Sequence, residues 1–101
     1  MEHRWDQRKK IAVYANLHYS QNFIDCVIRD VSRGGMFIEV TDYKLPLGAT
    51  VDIRFKIYKQ NRAIPYRVKG LVIHRKSNGI GVITNDVNDA LARQEILTYV
   101  A

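Results

Sequence analysis

At 101 residues the chain has room for one compact core and little spare length for a second. Apolar residues make up 47% of it and charged residues 26%, a balance that excludes disorder along the whole length. Lysines and arginines number 16 against 10 acidic residues, and the resulting formal charge of +6 favours anionic partners without naming one.

Residues 1–10 are polar and basic, hold no sustained period and contain no apolar signal core; they read as a flexible arm entering a domain that covers 11–101. From Ile11 the pattern changes, with Ile11, Val13, Ala15 and Leu17 alternating in the manner of a half-buried strand. Ser20, Gln21 and Asn22 mark a turn, and residues 23–29 form a second strand rich in β-branched side chains. Within it lies Cys26, the only cysteine. A lone cysteine excludes an intramolecular disulfide and a cysteine-rich metal site, reads as a small buried hydrophobe, and makes a reducing cytoplasm the expected compartment.

Asp30-Val31-Ser32-Arg33-Gly34-Gly35 breaks the alternation as a tight turn, and a short third strand covers 36–40. Pro46 and Gly48 punctuate a loop. Val51, Ile53, Phe55 and Ile57 then alternate with Asp52, Arg54, Lys56 and Tyr58, the clearest amphipathic strand of the chain. After a turn at Gln60-Asn61, a longer strand places Tyr66, Val68, Gly70, Val72 and His74 on one face. Ser77-Asn78-Gly79 turns the chain into a last strand over 80–84. Asn85 and Asp86 offer helix caps ahead of Ala90-Leu91-Ala92-Arg93-Gln94-Glu95-Ile96-Leu97, which predicts a C-terminal helix over about 86–100. The expected fold is all-β, six short antiparallel strands closed as a barrel or packed as a sandwich, with that helix over one open end or edge.

Catalytic chemistry finds no support. His3, His18 and His74 are scattered, and there is no metal-ligating pair, nucleophile elbow or phosphate loop, so neither an enzyme nor a bound cofactor is expected. No run approaches the roughly 18–20 apolar residues needed to span a bilayer.

Two segments carry recognition chemistry. In Arg4-Trp5-Asp6-Gln7-Arg8, two guanidinium groups have three residues between them. Each can fork onto phosphate oxygens or onto the O6/N7 edge of guanine, and its flat face can stack on a base. In the 30–35 turn, an Asp carboxylate can accept from guanine N1–H and N2–H, a Ser hydroxyl can bond to base or phosphate, and glycine admits close approach. Standing alone, the first segment reads as a solvated basic tail and the second as an ordinary hairpin turn.

Their order and separation, Arg-x-x-x-Arg before the first strand and Asp-x-Ser-x-x-Gly between the second and third, resemble the PilZ domain. Gly34-Gly35-Met36-Phe37-Ile38-Glu39, Leu45-Pro46-Leu47-Gly48-Ala49-Thr50-Val51, Gly70-Leu71-Val72-Ile73-His74-Arg75 and Gly79-Ile80-Gly81-Val82 extend the likeness over nearly the whole chain. Departures are His3 where a further Arg is frequent, Asp6 inside the Arg pair, and Ile83-Thr84 in place of a frequent Arg-Phe. The resemblance implies a six-stranded antiparallel β-barrel with a C-terminal α-helix, acting in bacteria as a receptor for the second messenger cyclic di-GMP. Arg4 and Arg8 would hold phosphates and guanine, Asp30 and Ser32 would take guanine polar edges, and Gly35 would keep the turn open for the base. His3, Arg33 and His74 form a second tier of candidates.

The expected mechanism is a sensor in which the ligand orders the Arg-bearing arm over the barrel. The chain would signal, as monomer or homodimer, to an unidentified downstream protein. Two other readings remain at this point: a small basic barrel that stacks single-stranded nucleic acid on aromatics such as Tyr14, Tyr58 or Tyr66, and a ligand-free adaptor that binds only another protein.

Overall fold

The computed structural model describes residues 9–32, 34–41, 44–84 and Ile96. Six strands run through them: β1 (Lys9–Tyr19), β2 (Asn22–Val31), β3 (Gly35–Glu39), β4 (Thr50–Lys59), β5 (Arg62–Lys76) and β6 (Gly79–Ile83). Residues 1–8, Arg33 and the predicted helix lie outside the described residues, apart from Ile96, which is fully buried in the core. All pairings are antiparallel, and the ladder closes on itself in the order β1-β2-β3-β6-β5-β4 to make a closed barrel.

Alternation builds the interior. In β4, Val51, Ile53, Phe55 and Ile57 are buried while Arg54, Lys56 and Tyr58 are exposed, as a pleated strand with one wet face requires. Leu17 of β1, Ile28 of β2, Ile38 of β3, Val68 and Val72 of β5 and Val82 of β6 meet them in one core cluster. The turns follow from local backbone chemistry. Gln60 and Asn61 both have positive φ (49° and 65°), as a type I′ hairpin demands. Ala49 N–H donates to the Pro46 carbonyl at 3.2 Å around Gly48, whose φ of +84° suits the third position of a type II turn. The same loop is fastened to β5, since Gly48 N–H donates to Val72 O and Val72 N–H to Ala49 O.

Several boundaries differ from the sequence pattern, among them β2, which runs on to Val31, and β3, which spans Gly35–Glu39. β1 begins at Lys9 rather than Ile11, because Lys9 and Lys10 pair with Val31 and Asp30. β5 begins at Arg62, ahead of Pro65, because the ladder to β4 continues through Pro65 opposite Lys56.

The ladders also slip in three places. Between β2 and β3 the register passes from Ile28–Ile38 to Asp30–Phe37, so Arg29 is an extra residue on β2. Between β5 and β6 it passes from Val72–Val82 to His74–Gly81, so Ile73 is an extra residue on β5. A third shift falls on β1 between Lys10 and Val13. Each has the two-against-one count of a β-bulge, which re-aims the side chains beyond it. Simple alternation puts His74 on the inward face with Val72; the bulge instead leaves Val72 buried and His74 exposed.

Strands β3 and β6 approach more closely than side chains allow. A Cβ on Gly35 would stand 2.3 Å from the Val82 carbonyl oxygen, and one on Gly79 would stand 2.3 Å from the Ile38 carbonyl oxygen. Gly35 is therefore required by its neighbour strand rather than by a positive φ. A Cβ on Gly34, beside it, would meet nothing within 4 Å.

Cys26 sits in this core, and burial, assisted by the nearby Asp25 charge, pushes its thiol pKa up from 9.0 to about 12. The raised value means that the neutral thiol's contribution to stability is complete below pH 9.0 and is lost as pH climbs toward about 12. Three outcomes follow. Ile53→Ala removes a fully buried side chain and lowers the free energy of unfolding by about 2–5 kcal/mol in urea titrations. Gly35→Ala costs about 1–3 kcal/mol by the same assay, whereas Gly34→Ala stays within about 0.5 kcal/mol. The Cys26 thiol resists iodoacetamide in the native protein at mildly alkaline pH and reacts at the ordinary thiol rate once urea unfolds the chain.

Candidate ligand-binding site

The two bulges on β2 and β5 turn Asp30 and His74 onto one outer face. The register pairs Asp30 with Phe37, Phe37 with Gly81, and Gly81 with His74, so these four residues form a single row across β2, β3, β6 and β5. The row runs through a concave surface of about 790 Å³ that also takes in Ser32, Gly34, Gly35, Ile73, Lys76 and Asn78.

The centre of the row is low because Gly81 has no side chain; a Cβ there would touch His74 Cβ at 3.3 Å. Beside it the half-buried Phe37 ring offers an aromatic surface, with Lys76 Nζ 5.7 Å from the ring centroid, within the range of a cation–π contact. At the edge of this face Arg29, the extra residue of β2, donates from Nε to Glu39 Oε1 at 2.6 Å.

The 30–35 segment divides between strand and turn. Asp30 and Val31 end β2, and Gly35 begins β3. Ser32 is buried, its N–H donating to the Gly35 carbonyl at 2.9 Å and its hydroxyl to the same oxygen at 3.4 Å. Thr84 N–H donates to the Gly34 carbonyl at 3.0 Å, which ties the turn to the end of β6. Ser32 thus holds the turn together while its hydroxyl oxygen retains acceptor capacity.

Of the sequence-derived candidates, Asp30, Ser32, Gly35 and His74 come together on this one surface. Arg4, Arg8, His3 and Arg33 lie outside the described residues. Phe37, Lys76, Ile73 and Gly81 were not singled out as site residues from sequence, and Phe37 reads there as core. Strand parity is the signal that finds it: Met36 and Ile38 are buried, so Phe37 and Glu39 face the other way.

A second concavity of about 920 Å³ lies on β1, β4 and β5 and contains none of the motif residues. Among the described residues there is no group of three or more His, Cys, Asp or Glu placed to hold a metal ion, and no helix long and apolar enough to cross a membrane.

The barrel is shared by solved structures. The inhibitor of motility of Bacillus subtilis superposes with a TM-score of 0.73 at 12% identity over 97% of this chain, which spans only 51% of that protein. The PilZ domain of CeSA from a cellulose synthesizing bacterium superposes with a TM-score of 0.71 at 15% identity, over 93% of this chain and 97% of the domain. An uncharacterized Legionella protein gives 0.56 at 15% identity, over 92% and 91% of the two chains. No curated protein sequence matches. At these identities the likeness establishes the fold alone. The sequence profile of the PilZ domain goes further, matching residues 2–101 and so all but the first residue, and by that match the chain belongs to the PilZ domain family.

Proposed function

We propose that the protein is a receptor for cyclic di-GMP which closes an Arg-bearing arm over the concave face of β2, β3, β6 and β5 and passes the signal to a partner protein. The family is one of cyclic di-GMP-binding domains, generally receptors or adaptors without enzymatic activity. The observation that carries the reading is the meeting of Asp30, Ser32, Gly35 and His74 on one concave surface. A second observation supports the arm: Lys10 is the register partner of Asp30, so β1 is entered beside the site. Only two peptide units separate Arg8 from Lys10, a reach of at most about 7 Å.

In this reading each ligand group meets its chemical complement. Asp30 accepts from guanine N1–H and N2–H. The Ser32 oxygen accepts or relays a further contact while its O–H keeps donating to the Gly35 carbonyl. The Phe37–Gly81 floor takes a purine face, and Lys76 and His74 flank it from β5. Arg4 and Arg8 neutralise the two phosphodiesters, which the described part of the surface, with Lys76 as its one lysine and no arginine in its lining, leaves largely unmatched. Binding then orders the arm, and the changed surface is what a partner protein senses.

Isothermal titration of the folded protein is expected to show saturable binding of cyclic di-GMP, with GTP and cyclic di-AMP far weaker. Each lost charged hydrogen bond is worth about 1.5–3 kcal/mol, so Arg4→Ala with Arg8→Ala brings the affinity down by about a hundredfold or more, with the far-ultraviolet dichroism unchanged. Asp30→Ala weakens binding by about tenfold or more. Undiminished binding in the double variant contradicts the role of the arm. A flat titration of the wild-type protein contradicts the receptor reading itself and leaves the adaptor.

A further inference from the structure

The second concavity opens where β1 and β4 part company. Their ladder holds only for Ala15 opposite Phe55, Asn16 opposite Arg54, Leu17 opposite Ile53 and His18 opposite Asp52. Beyond Phe55, β4 runs on beside β5 alone, and before Ala15, β1 runs beside β2 alone. Among the described residues, therefore, 56–58 of β4 have a strand neighbour on one side only. Such an edge is a template for another strand unless it is blunted.

The opposite edge of the same hairpin is blunted. β5 meets β6 only from Leu71 onward, and in the one-sided stretch before it stands Pro65. A proline keeps its ladder partner only where its missing N–H faces away from that ladder, so Pro65 removes a donor from the outer edge of β5. The β4 edge carries Lys56, Ile57 and Tyr58, with no proline, and it borders a hollow of about 920 Å³ instead of solvent alone.

The hollow is aromatic and basic. Tyr14 and Tyr58 stand 82% and 61% exposed at its sides, far more than aromatic side chains of a closed core. Phe55 and Tyr66 stack behind them at 5.7 Å between ring centroids. All of its lining residues are described, and none is acidic, whereas Arg54, Lys56 and Arg67 are basic. Asp52, outside the lining, holds Arg67 at 2.9 Å and Arg54 at 3.6 Å, and so offsets one of those charges. Lys56 has no ion-pair partner among the described residues.

From this geometry we infer that the wedge between β1 and β4 receives an extended, acidic segment of a partner protein, which adds to the β4 edge along residues 56–58. Main-chain hydrogen bonds to the open edge supply affinity, and alternate side chains meet Lys56 and the exposed tyrosines on the outer face and the Phe55–Tyr66 pair on the inner one. Charge complementarity selects acid over base. A single-stranded nucleic acid is less suited, because Asp52 already occupies two of the three cations and a phosphate backbone has no use for a strand edge. The wedge shares no lining residue with the Asp30–His74 surface, so a partner docks there without displacing a nucleotide, and the inference stands whether or not the nucleotide reading does.

The test is a selection of phage-displayed random peptides on the wild-type protein, counter-selected on the Lys56→Glu, Tyr58→Ala double variant. Both substitutions fall on exposed side chains, and circular dichroism confirms that the variant is folded. The expected winners alternate acidic and apolar residues. As synthetic peptides they slow amide exchange at Lys56 and Tyr58, whose N–H groups face the open edge, and they lose about tenfold or more in affinity on Lys56→Glu and on N-methylation of alternate peptide amides. The inference is overturned by no enrichment over the double variant, by winners without acidic residues, or by protection elsewhere on the barrel. It is equally overturned if an oligonucleotide binds the wedge and displaces the winners, or if sedimentation shows a self-dimer covering the same amides.

Discussion

A pleated strand sends residues two apart to the same face. Asp30 is two residues beyond the buried Ile28, and His74 is two beyond the buried Val72. Left to alternation, a carboxylate and an imidazole would both point into an apolar core, where an unpaired polar group costs several kcal/mol on the order of 2–7. One extra residue in each strand, Arg29 and Ile73, prevents this and sends both side chains outward onto the same face. The outward placement of Asp30 and His74, the two ends of the row, depends on that pair of slips.

The rest of the molecule keeps those slips in register with each other. Between the two bulged strands lie β3 and β6, short strands locked together by glycines at Gly35 and Gly79 that leave no room for a Cβ. The row from Asp30 through Phe37 and Gly81 to His74 crosses this rigid middle, so the outer members are fixed relative to one another by backbone rather than by flexible side chains. Ser32 adds a second fastening by holding the turn closed on the Gly35 carbonyl. On the other side of the barrel β1 and β4 share four pairings and then diverge. A concave face with convergent polar groups suits a small ligand, and a splayed edge with exposed aromatics suits a chain.

Much of this was readable from the residues. The alternation of β4, the turns at Ser20, Gln60 and Ser77, and the apolar core positions follow directly from period and turn chemistry, and each of the six strands falls close to where the pattern places it. The motif singles out Asp30 and Ser32, which line the same concave surface. What the pattern missed was the consequence of a bulge: His74 reads as sharing a face with Val72, and nothing local in Val72-Ile73-His74 announces the slip, because it is imposed by pairing with Gly81 on a strand still to come. The apolar neighbours of Phe37 suggest core, although its parity with Glu39 says otherwise. The divergence of β1 from β4 is a property of closing six strands of unequal length into a ring, and no single segment carries it.

Chemical-shift mapping of the isotopically labelled protein during titration with cyclic di-GMP tests the Asp30–His74 surface most directly. The expected result is a set of amide shifts along Asp30, Ser32, Gly35, Phe37, Gly81 and His74, with Tyr14, Lys56 and Tyr58 unmoved. Shifts gathered at the β1–β4 wedge, or none anywhere on the folded barrel at saturating ligand, would contradict it.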